Sequence, residues 1–184
     1  MKLNKYFGEI KKDYCGFSAQ NTFEIPYLKT YNNTESVKVY LGEQFDSNND
    51  WKEFENPPSI TKLAEYESTF KKFITEIDKI FINVQFETFE HYKNVYATYY
   101  EQPFFAMFEN IKIQKNENDK LNLPLCIDNK EKHFEYIEGI LESIRILDNN
   151  TIRIPFSYYI DEEHGLELKI VNNRVEKVGG IAET

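Results

Sequence analysis

Ile152-Arg153-Ile154-Pro155-Phe156-Ser157-Tyr158-Tyr159-Ile160-Asp161 alternates along its whole length. A period of two puts Ile152, Ile154, Phe156, Tyr158 and Ile160 on one face of a strand. Leu166-Glu167-Leu168-Lys169-Ile170 repeats the pattern. Asn172-Asn173 follows, and Asn tolerates the positive φ that a two-residue hairpin turn requires. Arg174 to Val178 then pairs back. The reading is a three-stranded antiparallel meander with turns at 161–165 and 172–173. A sheet that alternates this way is buried on one face, so something apolar must cover it.

The cover lies upstream. Ser59, after Pro57-Pro58, is a good helix N-cap. Ile60, Leu63, Tyr66, Phe70, Phe73, Ile74, Ile77, Ile80 and Phe81 then recur at steps of three and four, which makes one apolar stripe. A second helix is expected from about Phe86 to Gln102, with Phe89, Tyr92, Tyr96, Tyr99 and Tyr100 near one face. A third is expected from Asp128. Asp128 and Glu131 have capping-box spacing, and Phe134, Ile137, Ile140, Leu141, Ile144 and Leu147 follow at helical steps, with Gly139 among them. Asp148-Asn149-Asn150 ends it. Nearer the start, Ser36 to Leu41 alternates, with Val37, Val39 and Leu41 on one face, while Pro26 limits Thr22 to Tyr27 to an edge strand. Ile111 to Gln114 reads as a short strand. The expected class is α+β: an antiparallel sheet from the N- and C-terminal segments with about three helices packed on one face. The expected organisation is a single domain over 1–184.

Bulk properties narrow the partners. The 184 residues include 31 acidic and 22 basic ones, for a net charge of −9. That field repels phosphate backbones and anionic lipid surfaces. The expectation is therefore no nucleic acid, no membrane, and a basic protein if there is a partner. No run approaches the roughly 18 apolar residues of a membrane span, and the opening Met1-Lys2-Leu3-Asn4-Lys5 lacks the apolar run of a signal peptide. Cys15 and Cys126 fit free thiols in a reducing compartment, although a single disulfide between them is the alternative. A cytoplasmic protein is expected. The abundance of Asn, Lys, Ile, Tyr and Phe is that of AT-rich coding and points to a low-GC bacterial source.

Asp161-Glu162-Glu163-His164-Gly165 is the sharpest chemical cluster. Carboxylates and an imidazole are metal-ligand types, yet neighbours in a tight turn cannot all converge on one ion. A hairpin turn with Gly165 at positive φ and solvated acids explains the same residues, and a partner-binding turn is the third reading. His91 and His133 sit among aromatics on expected helices, which reads as packing. Tyr92, Tyr96, Tyr99 and Tyr100 are either a core stripe or anchors for a partner. Trp51 and Phe54, in an acidic stretch with Asp50, Glu53 and Glu55, form an interface if exposed. Phosphate-loop, dinucleotide-loop, nucleophile-elbow and Cys-x-x-Cys patterns are missing. No catalytic residue, metal or cofactor is assigned.

Two stretches carry a resemblance. Tyr6-Phe7-Gly8-Glu9-Ile10, followed by the strand to Leu41, resembles the start of a family of small bacterial domains. Tyr158 to Leu166, with Asn172-Asn173-Arg174-Val175 and Gly179, resembles that family's closing acid-acid-His-Gly hairpin. Similar hairpins occur in immunity proteins of bacterial polymorphic toxin systems. The match covers about 40 residues at the two ends and leaves out the helical middle. It implies a bacterial cytosolic binder and brings no catalytic residues with it. The leading expectation is thus a non-enzymatic protein-binding module, immunity-type, neutralising a basic partner through Asp161, Glu162, Glu163, His164, Trp51 and Phe54. The alternatives are a metal-dependent hydrolase using Asp161, Glu163 and His164, and a structural or adaptor domain.

Overall fold

The computed structural model describes residues 2–44, 56–101, 107–108, 111–112, 125–141 and 143–184. Trp51 and Phe54 lie outside them. The meander stands where the alternation puts it. Strand β9 is Thr151–Tyr158, β10 is Leu166–Val171 and β11 is Arg174–Gly179. Both Asn172 and Asn173 take positive φ, 49° and 62°. The N-terminal segment supplies β1 (Lys2–Asn4), β2 (Gly8–Asp13), β3 (Gly16–Ala19) and β4 (Lys38–Leu41). Of the expected edge strand at 22–27, only a bridge from Phe23 to Val37 forms.

The helical cover differs in its boundaries. Ser59 caps the first helix, accepting from the Lys62 N–H at 3.1 Å, a contact worth about 1 kcal/mol. Helix α1 is Ile60–Thr75 and α2 is Ile77–Val95. The break falls at Glu76, where φ is −102°, and the expected gap between 81 and 86 is helical. The buried residues of the two helices, Leu63, Tyr66, Phe70, Phe73, Ile77, Ile80, Val84 and Tyr92, continue one stripe across the break. Helix α3 (Ala97–Tyr100) adds one turn.

The third expected helix is mostly sheet. Only α4, Lys130–Phe134, is helical, and its cap is Asn129, which accepts from the Lys132 N–H at 2.8 Å. Asp128 instead pairs with Lys132. The chain then forms β7 (Ile137–Ile140) and β8 (Ser143–Leu147), which lie end to end along β9. A register shift between Ile137 and Gly139 changes the phase of the alternation. Ile137, Ile140 and Ile144 therefore mimic helical spacing while their β-branched side chains suit a strand. Gly139 has φ +156°, and a Cβ there would lie 2.6 Å from the Thr30 carbonyl carbon and the Tyr31 nitrogen. Asn149 and Asn150, at φ 56° and 55°, turn β8 into β9 rather than end a helix.

The main sheet has the order β1-β2-β3-β4-β8-β9-β10-β11, with β7 also on β9. It is mixed rather than wholly antiparallel: β4 and β8 run parallel, and that ladder joins the N- and C-terminal halves. Strands β5 (Met107–Phe108) and β6 (Ile111–Lys112) pair separately. The fold is α+β. One cluster of buried side chains unites Val37, Val39, Leu41, Ile144, Ile146, Ile152, Ile154 and Phe156 from the sheet with Phe70, Phe73 and Ile80 from the helices. The alternate residues, among them Tyr40, Arg145, Arg153 and Glu167, occupy the sheet face away from the helices. Among the described residues no helix is long and apolar enough to cross a membrane.

Candidate functional site

The segment from Tyr158 to Leu166 is a tight turn built around one carboxylate. The Asp161 N–H donates to the Tyr158 carbonyl at 3.1 Å, and the Gly165 N–H donates to the Asp161 carbonyl at 2.9 Å. Asp161 Oδ1 accepts from the His164 N–H at 3.1 Å and faces His164 Nδ1 at 3.0 Å. Short acidic side chains favour such self-closing turns because they reach their own backbone a few residues on. Gly165 takes φ +62° as expected, and a Cβ there would lie 2.7 Å from Ile181 Cδ1 and 3.0 Å from the Phe156 carbonyl oxygen.

The turn is also tied from outside. Tyr96 donates to Asp161 Oδ2 at 2.8 Å, and Tyr100 donates to the Ile160 carbonyl at 3.0 Å. On the other side the Ile181 N–H donates to the His164 carbonyl at 3.0 Å. Burial acts to raise the Asp161 pKa, but the bonds from the His164 backbone, Tyr96 and the His164 ring outweigh it and hold the carboxyl below its ordinary range. The bond to Asp161 in turn raises the pKa of the exposed His164, aided by the charge of Asp161. Glu162 and Glu163 stand exposed. Tyr159 and Ile181 flank them, each 38% exposed.

Behind the turn lies a buried polar layer. His133 and Tyr158 are both fully buried, with His133 Nε2 and the Tyr158 hydroxyl 2.8 Å apart. The Tyr158 ring meets Tyr96 edge-on at 5.7 Å, and His133 packs 5.1 Å from Tyr92. Tyr92 donates to Glu101 Oε1 at 2.6 Å, and the Glu101 carboxylate also accepts the backbone N–H groups of Cys126 and Ile127. The tyrosine stripe is therefore core for Tyr92, half-buried against the core for Tyr96 and Tyr100, and surface for Tyr99, which is 61% exposed; the hydroxyls of Tyr92, Tyr96 and Tyr100 are bonded. His91 sits half-buried edge-on to Tyr96 at 5.8 Å.

Asp161, Glu162, Glu163 and His164 are thus brought together, but as a closed turn. The two carboxylate oxygens of Asp161 already hold Tyr96 and His164. Among the described residues no three His, Cys, Asp or Glu side chains come together as metal ligands. Neither Cys15 nor Cys126 is in a disulfide. The residues that sequence did not single out are Tyr96 as the anchor of the turn and Ile181 as its outer strap. Tyr96 reaches Asp161 across 65 positions, so no local pattern marks the contact. No family model, curated protein or solved structure matches this chain.

Proposed function

We propose that this chain is a non-enzymatic protein-binding module that takes a basic partner protein at the Asp161–Gly165 turn. The observation behind it is the turn's rigidity: Glu162 and Glu163 are presented to solvent on a loop fastened by Tyr96, Tyr100 and Ile181. A fixed acidic loop loses little freedom on docking. The exposed Tyr159 and Ile181 beside it supply the apolar area that interface centres use. The −9 net charge favours rapid capture of a basic protein by electrostatic steering. The resemblance of this hairpin to immunity proteins supports neutralisation of a basic toxin, such as a nuclease, in the bacterial cytosol.

The test is coexpression with basic proteins encoded beside this chain in its genome. A complex is expected whose association slows at high salt and in the Glu162→Lys, Glu163→Lys double variant. Absence of a complex with any such neighbour, or a complex indifferent to both charge reversals, overturns the reading.

A further inference from the structure

On the sheet face away from the helices, Arg145 of β8 and Arg153 of β9 are direct cross-strand partners. Like charges placed opposite one another on a sheet repel. Such a pair is ordinarily relieved by carboxylates, and among the described residues only Glu43 and Glu167 act on it, by charge and not by ion pairing. Arg145 is only 9% exposed, yet among the described residues its guanidinium donates to neutral acceptors: the Gly42 carbonyl at 2.9 Å, the Cys15 carbonyl at 2.9 Å and Gln44 Oε1 at 3.3 Å. Its remaining face lies over the Tyr40 ring, 4.8 Å from the centroid. Arg153 has a buried Nε with no hydrogen-bond partner among the described residues. Neither arginine comes within 4.0 Å of a carboxylate among the described residues. Burial lowers the Arg145 pKa against the opposing charges of Cys15, Tyr40 and Glu43, and the charge of Arg153 adds to the lowering.

Arg145 and Arg153 both line one cleft of about 200 Å³, together with Tyr40, Ser143 and Glu167. Glu167 is the acid nearest in kind to a counter-ion, but its Oε1 is engaged by the Thr184 hydroxyl. Burial raises its pKa against the pull of Thr184, Arg153 and Arg145. Among the described residues the cleft therefore collects two cations with no carboxylate at ion-pair distance, Glu167 acting on both through its charge alone.

We infer that this cleft binds a small oxyanion, a carboxylate or phosphate group held between Arg145 and Arg153. The fork of a guanidinium fits two oxygens of either group. Size argues for a compact ligand, because the volume falls below the roughly 300–1,000 Å³ of pockets for drug-sized molecules. Charge argues the same way: a polyanion would meet the −9 field of the whole chain, whereas a small ion reaches the arginines alone. The cleft shares Ile181 with the acidic turn, but its two arginines stand on β8 and β9.

Calorimetric titration with inorganic phosphate and with succinate, each at fixed ionic strength in a buffer free of other oxyanions, tests the site. Wild type is expected to bind at least one of the two, and the stronger binder identifies which oxyanion the cleft prefers. Arg153→Gln is expected to weaken that binding roughly tenfold or more, as loss of a charged hydrogen-bond donor implies. Glu167→Gln, which removes the competing acid, is expected to tighten it, and it reports independently if Arg153→Gln folds poorly by circular dichroism. No binding of either anion to wild type overturns the inference. So does binding that is unchanged in a folded Arg153→Gln, or unchanged or weaker in a folded Glu167→Gln.

Discussion

The Tyr96 hydroxyl, at the junction of α2 and α3, donates to Asp161 Oδ2 in the β9–β10 turn at 2.8 Å. This bond fixes the acidic turn to the helical layer. Asp161 has a side chain only 19% exposed, so the donor is not readily replaced by water. Tyr96→Phe should lower stability by about 1.5–3 kcal/mol, the scale of a hydrogen bond to a charged group. Urea denaturation at neutral pH measures it. The Asp161 pKa is depressed in the fold, so its contribution is present above the ordinary carboxylate range and is lost as pH falls through the folded value. The variant should therefore differ less from wild type in acid than at neutral pH.

His164 reports the same carboxylate from the other side. Its folded pKa is raised by the bond to Asp161. The pairing therefore stabilises the fold fully below about pH 6.5 and fades as pH rises through the raised value. An NMR titration should place His164 above the ordinary histidine range in wild type. In Asp161→Asn it should fall back toward the ordinary histidine range, with Glu163 and Glu183 still acting to raise it. A His164 that titrates identically in both would mean the ring is not held by Asp161 in solution.

Gly139 offers a test of the strand that the sequence presents as helix. A helical Gly139 would gain about 1 kcal/mol on replacement by Ala. In the observed strand, the added Cβ would meet the Thr30 and Tyr31 backbone at 2.6 Å, and the φ of +156° disfavours any side chain. Gly139→Ala should therefore destabilise by more than about 2 kcal/mol. The two readings predict opposite signs, and thermal denaturation separates them.

What sequence could reach follows from where each signal is stored. The meander was legible because alternation and the Asn172-Asn173 turn are local. The stripe from Leu63 to Tyr92 was legible for the same reason, and only its break at Glu76 escaped, since the stripe keeps its phase across it. The stretch from Ile137 to Leu147 was misread because a register shift at Gly139 turns a period of two into steps of three and four. Asp161 to His164 was legible as a turn. Its anchoring by Tyr96, and the meeting of Arg145 with Arg153, depend on register and long-range pairing that no window of sequence contains.

The buried His133 sets an acid limit on the whole fold. Its ring is fully enclosed between α2 and β9, with Nε2 at 2.8 Å from the Tyr158 hydroxyl and Nδ1 without a partner among the described residues. Desolvation, with a small addition from the charge of His91, lowers its pKa to about 4. The unfolded chain takes up that proton near 6.5 and the folded chain does not. Stability is therefore complete above about pH 6.5 and declines as pH falls from there toward 4, by up to about 3 kcal/mol. His133→Gln keeps a polar group near Tyr158 but cannot charge. It should be less stable than wild type at pH 7, because the ring's packing against Tyr92 and Phe89 is lost. Its stability should also change less between pH 6.5 and 4. Urea denaturation across that interval gives both slopes. Equal slopes would show that the acid sensitivity over this interval belongs to groups other than His133; Asp161, whose pKa is lowered, releases its own contribution only below it.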